Sequence, residues 1–201
     1  MTTHEVVPGV WVASRVDPAP ADPHPQDAAL AAGMPRWRAE EFLAGRAVLR
    51  GLLADVLPEA AGAPVVPGAN GKPALHGWPE VGVSIAHDRG AFAAGVAPGH
   101  AVGVDVQLPP EPLEDAVLRR CVRRGLAEVR ELAEPERAVE FAWIWTAQEA
   151  CVKAEGSGLS GSPWTIDVPY GHGAGTWRGF RWRLLREESG IPLSCAWKEL
   201  P

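Results

Sequence analysis

The chain has 201 residues, of which 46% are hydrophobic and 22% are charged, and its formal net charge is -6. This length fits one domain or two small ones, and such a chain buries about 70% of its unfolded surface, so folding requires neither a disulfide nor a structural metal. The negative charge argues against a general nucleic-acid or anionic-membrane binder, because those proteins present a net basic face.

The three cysteines, Cys121, Cys151 and Cys195, form no CxxC pair and no Cys/His spacing. We therefore expect neither a disulfide framework nor a zinc site, and we interpret them as free thiols of a cytoplasmic protein. No window approaches the run of about 18 apolar residues that a membrane span needs, and the first residues lack the pattern of an export signal. We expect neither export nor membrane insertion.

The first third of the chain predicts one strand and one long helix. Residues 9–14 (GVWVAS) are typical of a short strand, and a proline-rich connector follows over residues 17–25. Over residues 36–57 apolar positions recur at i, i+3, i+4 and i+7, the spacing of a helix with one buried stripe. The stripe consists of Leu49, Leu52, Leu53 and Val56.

Three strands and then two helices are predicted in the middle of the chain. The strands cover residues 81–87, 91–97 and 101–107, and the short turn-rich separators DRG and PGH favour antiparallel pairing of neighbours. Helices are expected over residues 113–125 and 135–155. The segments TIDVP, WRGFRWRLLRE and LSCAWKEL predict three further strands. Because strands and helices are segregated rather than alternating, the fold class is predicted to be α+β.

The segment GVDVQ, residues 103–107, places polar side chains on one face of a strand. Side chains alternate faces along a strand, so Asp105 and Gln107 point away from Val104 and Val106. A carboxylate in an apolar strand is costly unless it is paired or holds a cation. Taken alone, the pentapeptide favours the simpler interpretation of an aspartate exposed at a strand end.

The segment WTAQEACVKAEGSGLS begins at Trp145, on the predicted helix 135–155. Glu149 and Lys153 are four residues apart and therefore lie on the same helix face. On most helices such a pair is a solvent-exposed ion pair worth a few tenths of a kcal/mol. Here the upstream residues are largely apolar, and Gly156 ends the helix where a backbone could approach a ligand.

Together the two segments predict a site for a divalent cation and a phosphorylated ligand. Asp105, Gln107 and Glu149 offer hard oxygen ligands, which suit Mg²⁺ with phosphate oxygens better than zinc or a redox metal. Lys153 beside them would neutralise charge on the phosphates during transfer. The chain contains no GxxxxGK[ST] loop, so the ligand is not expected to be a triphosphate held in that way.

The two segments resemble the paired motifs of the 4'-phosphopantetheinyl transferases, specifically the larger surfactin-synthetase-activating (Sfp) type. Two upstream motifs agree in order and position: GKP at residues 71–73 and SIAHD at residues 84–88. The helix FLAGRAVLRGLL, residues 42–53, also looks like the arginine-bearing N-terminal helix of that family. The resemblance covers residues 36–160, and four motifs in order make it specific.

This resemblance implies an architecture and an activity. The fold would be two similar α+β halves related by a pseudo-twofold axis, residues 1–103 and 104–201, with the active site in the cleft between them. The activity would be Mg²⁺-dependent transfer of phosphopantetheine from coenzyme A to a serine of an acyl or peptidyl carrier protein, with Mn²⁺ as the alternative ion. Adenosine 3',5'-bisphosphate would be released, and the protein would be a monomer.

The resemblance also implies residue roles. Asp105 and Glu149, with Gln107, would bind the metal, and Glu149 would take the serine proton directly or through a water. Lys153 would contact the coenzyme A phosphates. The residues that would contact the nucleotide end are Arg46, Arg50, Lys72 and His87.

Three positions depart from the family pattern. Gln107 stands where many members have a third acid, Ala86 where a serine is common, and Gln148 where a basic residue is usual. An amide oxygen can ligate Mg²⁺ but carries no charge, so metal binding would be weaker. The alternative function is therefore a degenerate, non-catalytic coenzyme A or carrier-protein binding module; an unrelated Mg²⁺-dependent phosphohydrolase gains nothing from GKP or SIAH.

An acidic carrier protein would require a local basic surface on this acidic chain. Four arginines of the predicted helix 113–125 are spaced i, i+1, i+4 and i+5, which would cluster them on one side. They are Arg119, Arg120, Arg123 and Arg124. The alternatives are a solvated helix balanced by acidic neighbours such as Glu114, Asp115 and Glu128, or docking through apolar contacts.

Overall fold

Two antiparallel sheets and two long helices make up most of the fold in the computed structural model, which describes residues 1–17 and 22–201. The first sheet has six strands: β1 Thr2–Val7, β2 Val10–Val16, β3 Val65–Pro67, β4 Pro73–Leu75, β5 Val81–Asp88 and β6 Ala91–Pro98. Their spatial order is β1-β2-β6-β5-β4-β3. The second sheet has four strands in the order β7-β10-β9-β8. These are β7 His100–Val106, β8 Ala174–Trp177, β9 Phe180–Leu184 and β10 Leu193–Glu199.

Five α-helices accompany the sheets in the described part of the chain. They are α1 Pro25–Ala31, α2 Arg36–Val56, α3 Asp115–Cys121, α4 Leu126–Glu131 and α5 Glu134–Glu155. The predicted α+β class is confirmed, and the long helices α2 and α5 match the helices predicted over residues 36–57 and 135–155. None of the described helices is long and apolar enough to cross a membrane.

The layers of the molecule follow from the alternation of side chains along the strands. Val12 and Ala93 belong to the core between the two sheets, whereas their neighbours Ala13 and Ala94 pack under α2. A third core lies between the second sheet and α5. The order is therefore α2, first sheet, second sheet, α5, and each long helix covers the outer face of one sheet because burying that face removes apolar surface from water.

The predicted pairing of the three central strands is correct for β5 with β6 and wrong for β6 with β7. β5 and β6 form an antiparallel ladder, but β7 pairs with β10 in the other sheet. β7 lies across the face of the first sheet, where a Cβ on Gly82 would overlap the carbonyl oxygen of His100. The amide of Val104 also donates to Ser84 Oγ over 3.0 Å. The predicted boundary between residues 103 and 104 runs through β7, and the division into those two units stays a prediction.

The last third of the chain corrects two predictions. TIDVP is not a strand: its buried Ile166 and Val168 mimic strand alternation, but a short 3-10 turn, Pro163–Thr165, leads into irregular backbone. The single strand predicted for WRGFRWRLLRE is instead the hairpin of β8 and β9. Its turn residues Arg178 and Gly179 both have positive φ, the conformation of the two-residue turns that match the twist of paired strands.

Two further differences concern the start of the chain and the middle helices. β1 was not predicted, because it is an edge strand whose side chains are mostly exposed. The helix predicted over residues 113–125 is shorter, Asp115–Cys121, because Val122 takes an extended conformation. The next helix, α4, begins after Gly125, which has a positive φ of 86°. Four residues of the predicted connector 17–25, residues 18–21, lie outside the described residues, and its last residue, Pro25, begins α1.

Candidate active site

The centre of the candidate site lies where α5 packs directly against β7. Gly103 makes this approach possible, because a Cβ there would overlap the backbone of Ala150 and Ala154 on α5. Asp105 follows on the same face of β7, and its Oδ1 lies 2.6 Å from Lys153 Nζ. The Asp105 side chain is only 10% exposed, so this is a nearly buried ion pair between strand and helix.

Glu149 lies one helical turn before Lys153 and shares its side of α5. Lys153 forms its ion pair with Asp105 of β7 and not with Glu149. Glu149 Oε1 is buried and has no hydrogen-bond partner among the described residues. Burial, and secondarily the charge of Asp105, raises the pKa of Glu149 to about 7. Burial likewise raises the pKa of Asp105, against the attraction of the Lys153 ammonium.

This charge balance fits a bound cation. Two carboxylates share one ammonium group, and an unpartnered buried carboxylate oxygen is costly unless another positive group approaches it. Carboxylate oxygens are the donors that Mg²⁺ prefers, and one or two of them with phosphate oxygens complete its usual site. Among the described residues no cluster of three or more His, Cys, Asp or Glu side chains could hold a metal, so Asp105 and Glu149 would act as a pair.

Asp88 is an acid near this site to which the sequence analysis assigned no role. Its Oδ2 accepts from the amide of Leu108 over 2.8 Å and from Arg89 Nε over 3.3 Å. Its charge also contributes to the raised pKa of Asp105. Asp88 therefore joins the end of β5 to the segment after β7. Its position directly after the histidine of SIAHD was the available signal.

A pocket of about 630 Å³ opens between α2 and the first sheet. Arg38, Phe42 and Arg46 line it at i, i+4 and i+8, because residues with this spacing lie along one face of a helix. Arg46 Nη1 is buried and has no hydrogen-bond partner among residues 1–17 and 22–201, while Nε lies 3.8 Å from Asp27 Oδ1. His87, at the exposed end of β5, lines the same pocket.

The structure thus brings Arg46 and His87 together and adds Arg38, which the sequence analysis missed. The signal was present: Arg38 precedes Arg46 by eight residues on a helix that was predicted correctly. The combination of two guanidinium groups, an imidazole and an aromatic ring is suited to a phosphorylated aromatic ligand.

Arg50 does not join this pocket. Its guanidinium donates to Asp27 Oδ2 over 3.1 Å and to the carbonyl oxygens of Ala61 and Ala63 over 2.8 and 2.6 Å. Asp27 itself is only 1% exposed, so the pair is buried. These contacts tie α1 and the segment after α2 to the helix, and they occupy the donors that a phosphate contact would need.

Lys72 also points away from the pocket that contains Arg46. Its neighbours Gly71 and Pro73 line that pocket, but the Lys72 side chain lies on the other side of the loop, against the C-terminal end of α5. Its Nζ donates to the carbonyl oxygen of Ala154 over 2.7 Å. Burial lowers the pKa of Lys72 to about 8.

Two family models match the chain. The model of the 4'-phosphopantetheinyl transferase superfamily matches residues 101–190, and that of the 4'-phosphopantetheinyl transferase N-terminal domain matches residues 26–97. The chain belongs to the 4'-phosphopantetheinyl transferase superfamily. The two matched ranges meet where the chain leaves β6 and enters β7. A search of the curated proteins gave no match.

In this phosphopantetheinyl transferase superfamily member, Gln107 lies beside a second, mostly apolar pocket of about 490 Å³. Leu113, Phe141, Trp145 and Trp164 contribute to its walls. The backbone N–H of Gln107 donates to the carbonyl oxygen of Pro192 over 3.1 Å, which holds the end of β7 against the start of β10. Its predicted role as a third metal ligand stays a prediction.

Gln148, which departs from the usual family pattern, has a structural role here. It is fully buried, and its Nε2 donates over 2.8 Å to each of two carbonyl oxygens, those of Cys121 and Ile166. These bonds attach α3 and the TIDVP segment to α5. An amide supplies two donors without the cost of burying a charge, so glutamine suits this position in the transferase better than a basic residue.

The predicted basic face for a carrier protein is not a single helix face. α3 ends at Cys121, so Arg123 and Arg124 follow the helix instead of extending it. Arg119 pairs with Asp115 over 3.3 Å and Arg124 pairs with Asp167 over 2.6 Å. The Arg120 guanidinium stacks 3.9 Å from the centre of the Trp164 ring. Acidic and aromatic neighbours therefore engage three of the four arginines, which weakens the electrostatic docking hypothesis.

Proposed function

We propose that the chain is a 4'-phosphopantetheinyl transferase of the surfactin-synthetase-activating type, which moves phosphopantetheine from coenzyme A to a serine of an acyl or peptidyl carrier protein. The observation that carries this proposal is the group of buried Asp105 with half-buried Lys153 and Glu149, in which one Glu149 carboxylate oxygen is buried and has no partner among the described residues. It lies within the range matched by the superfamily model, and the arginine-lined pocket lies in the range matched by the N-terminal domain model.

Asp105 and Glu149 would hold Mg²⁺, or Mn²⁺, with the Gln107 amide oxygen as a weaker third donor. Bound there, the cation would neutralise charge on the diphosphate of coenzyme A. Lys153, already close to Asp105, would face the same phosphates and stabilise the negative charge that develops on the leaving group.

In the transfer itself, the serine oxygen of the carrier forms a bond to the phosphorus that bears the pantetheine group. The bond from that phosphorus to the bridging oxygen of the diphosphate breaks, and adenosine 3',5'-bisphosphate leaves with the bridging oxygen. Glu149 takes the serine proton, directly or through a water. A carboxylate with a pKa near 7 is well matched to this task, since about half of it is ionised at neutral pH and that form is more basic than an ordinary carboxylate.

The nucleotide end of coenzyme A would occupy the pocket lined by Arg38, Phe42, Arg46 and His87. The unpartnered Arg46 Nη1 supports this assignment, because a phosphate oxygen would satisfy a buried donor that no other described residue accepts from.

The function is tested by incubating the protein with coenzyme A, Mg²⁺ and a panel of apo carrier proteins. A mass increase of about 340 Da on a carrier, dependent on Mg²⁺, is the expected result for transfer of one phosphopantetheine group. Binding of coenzyme A by calorimetry without modification of any carrier would instead favour the degenerate binding module. Release of free phosphopantetheine without a carrier would point to hydrolysis.

Replacing Arg46 with Met should weaken coenzyme A binding by about tenfold or more, because a buried charged donor to phosphate is lost. Calorimetry on the metal-free protein measures this directly. Arg36→Met is the matched control, since Arg36 lies on the same helix, is 92% exposed and pairs only with Glu40. If both variants bound coenzyme A like the parent protein, the pocket would not hold the nucleotide.

We place the transferase in the cytoplasm and treat it as a monomer. The free, buried Cys121, Cys151 and Cys195 are compatible with a reducing compartment. The expected monomer follows from the presence of both matched regions in one chain. Light scattering on the purified protein measures the oligomeric state.

A further inference from the structure

The C-terminal end of α5 receives side chains from the opposite half of the molecule. The sequence contains three lysines, and two of them, Lys72 and Lys153, make contacts near this end of the helix, one to a carbonyl group of α5 and the other to Asp105. Lys153 is on α5, whereas Lys72 comes from the GKP loop between β3 and β4. Asn70, two residues before Lys72, donates from Nδ2 to the carbonyl oxygen of Gly156 over 3.0 Å.

These contacts provide hydrogen-bond donors for carbonyl groups at the end of α5. The last carbonyl groups of any α-helix have no intrahelical partner. The Val152 carbonyl accepts from the amides of Gly156 and Ser157, which closes the helix through a left-handed Gly156 at φ 85°. The Ala154 carbonyl accepts Lys72 Nζ instead, and a positive charge at this end also favours the helix dipole.

The loop is shaped to deliver both donors. Asn70 and Gly71 have positive φ values of 54° and 78°, and the amide of Gly68 donates to the carbonyl oxygen of Lys72 over 2.7 Å. Asparagine and glycine tolerate this left-handed conformation better than other residues do. This tight turn places the side chains of Asn70 and Lys72 toward α5.

Ala154 links the GKP loop to the candidate active site. Its backbone nitrogen and Cα lie against Gly103 of β7, two residues before Asp105. Its carbonyl oxygen accepts the hydrogen bond from Lys72. Its neighbour Lys153 carries the ammonium that pairs with Asp105. The last turn of α5 is thus held between β7 on one side and the GKP loop on the other.

We propose that Lys72 and Asn70 are positioning residues that hold the last turn of α5, and through it Lys153, from the first half of the molecule. They act through the Ala154 and Gly156 carbonyl groups and do not contact coenzyme A. The kinetic part of the test rests on the proposed transferase function, but the structural part does not.

The structural test is hydrogen exchange on the protein without ligands, comparing the parent with Lys72→Met and Asn70→Gly. We expect the amides of Gly156 and Ser157 to exchange about tenfold faster in each variant, since the turn opens more often when a donor is lost. The amides of α2 should keep their rates. Glycine retains the positive φ at position 70, so that variant removes only the amide group, and it keeps the test valid if Lys72→Met fails to fold.

The kinetic test separates positioning from binding. Lys72→Met should lower kcat about five- to tenfold and leave the KM and Kd for coenzyme A within about twofold, because a misplaced Lys153 affects the reaction more than ligand capture. Lys72→Arg should recover most of kcat, since a guanidinium can also donate to the Ala154 carbonyl. Lys198→Met, which changes the remaining and exposed lysine, is the control.

Two results would overturn the proposal. One is unchanged exchange of the last turn of α5 in both variants. The other is a weaker Kd for coenzyme A in Lys72→Met with kcat retained, which would make Lys72 a ligand contact. If the parent protein neither binds coenzyme A nor modifies a carrier, the transferase proposal fails, while the exchange rates still decide whether Lys72 and Asn70 hold the helix.

Discussion

Glu149→Gln is expected to lower the rate of carrier modification by about 100-fold or more. The substitution keeps the size of the side chain but removes both the base that takes the serine proton and one of two carboxylates that would bind the metal. The change should appear in kcat, measured by mass spectrometry of the carrier. The free energy of unfolding without metal should not fall, because a buried unpartnered carboxylate oxygen is replaced by a neutral amide.

The same variant tests whether Glu149 binds the metal or is needed only for folding. Mg²⁺ should raise the melting temperature of the parent protein, because a ligand that binds only the folded state stabilises it, and should not raise that of Glu149→Gln. Glu136→Gln, at an exposed position in the first turn of α5, is the matched control and should behave like the parent. Full activity in Glu149→Gln would exclude it as the base.

Gly103→Ala is expected to destabilise the fold by about 3 kcal/mol or more. A Cβ at this position would overlap backbone atoms of Ala150 and Ala154, and backbone cannot rotate out of the way as a side chain can. α5 must then move off β7, which also separates Lys153 from Asp105. Urea unfolding measures the loss of stability, and the transfer rate per folded molecule should fall with it.

Gly173→Ala provides the comparison for this substitution. A Cβ there meets nothing within 4 Å, and its φ is not in the left-handed region, so stability should change by less than about 0.5 kcal/mol. Parent-like stability in Gly103→Ala would contradict the direct contact between β7 and α5. That contact sets the distance from Asp105 on β7 to Glu149 and Lys153 on α5.

Much of the secondary structure follows from local pattern. The apolar spacing of Leu49, Leu52 and Leu53 predicts α2, and all three are fully buried under the first sheet. The alternation in GVDVQ correctly separates Val104, in the core between the sheets, from Asp105, which faces α5. Such periods survive into the fold because each element must turn its apolar side to a core wherever that core lies.

The candidate site was predicted in part for a different reason. Asp105, Glu149 and Lys153 were grouped by the chemistry of their side chains, and the family resemblance then assigned their roles. The structure does bring Asp105 and Lys153 into contact. The i, i+4 spacing by itself suggested that Lys153 pairs with Glu149, yet the ammonium bonds to Asp105. The spacing of residues along a helix defines which of them share a face, but the residues that bond to that face come from another part of the chain.

Sequence by itself determined the α+β class and the two long helices, because these depend on residue type and on periods shorter than ten residues. The choice of the two acids and the lysine as site residues stays a prediction. Only the tertiary structure decided that β7 leaves the first sheet, since a short turn allows the next strand either to pair with β6 or to cross the face of that sheet. Gly82 and Gly95 have no side chains, which leaves room for β7 to cross there. The tertiary structure also decided that Arg46 lines the pocket beside α2, that Arg50 is bonded to Asp27, and that Lys72 donates to a carbonyl group of α5. Which of several similar cations stays free for a ligand depends on the acids and carbonyl groups that distant segments bring beside it.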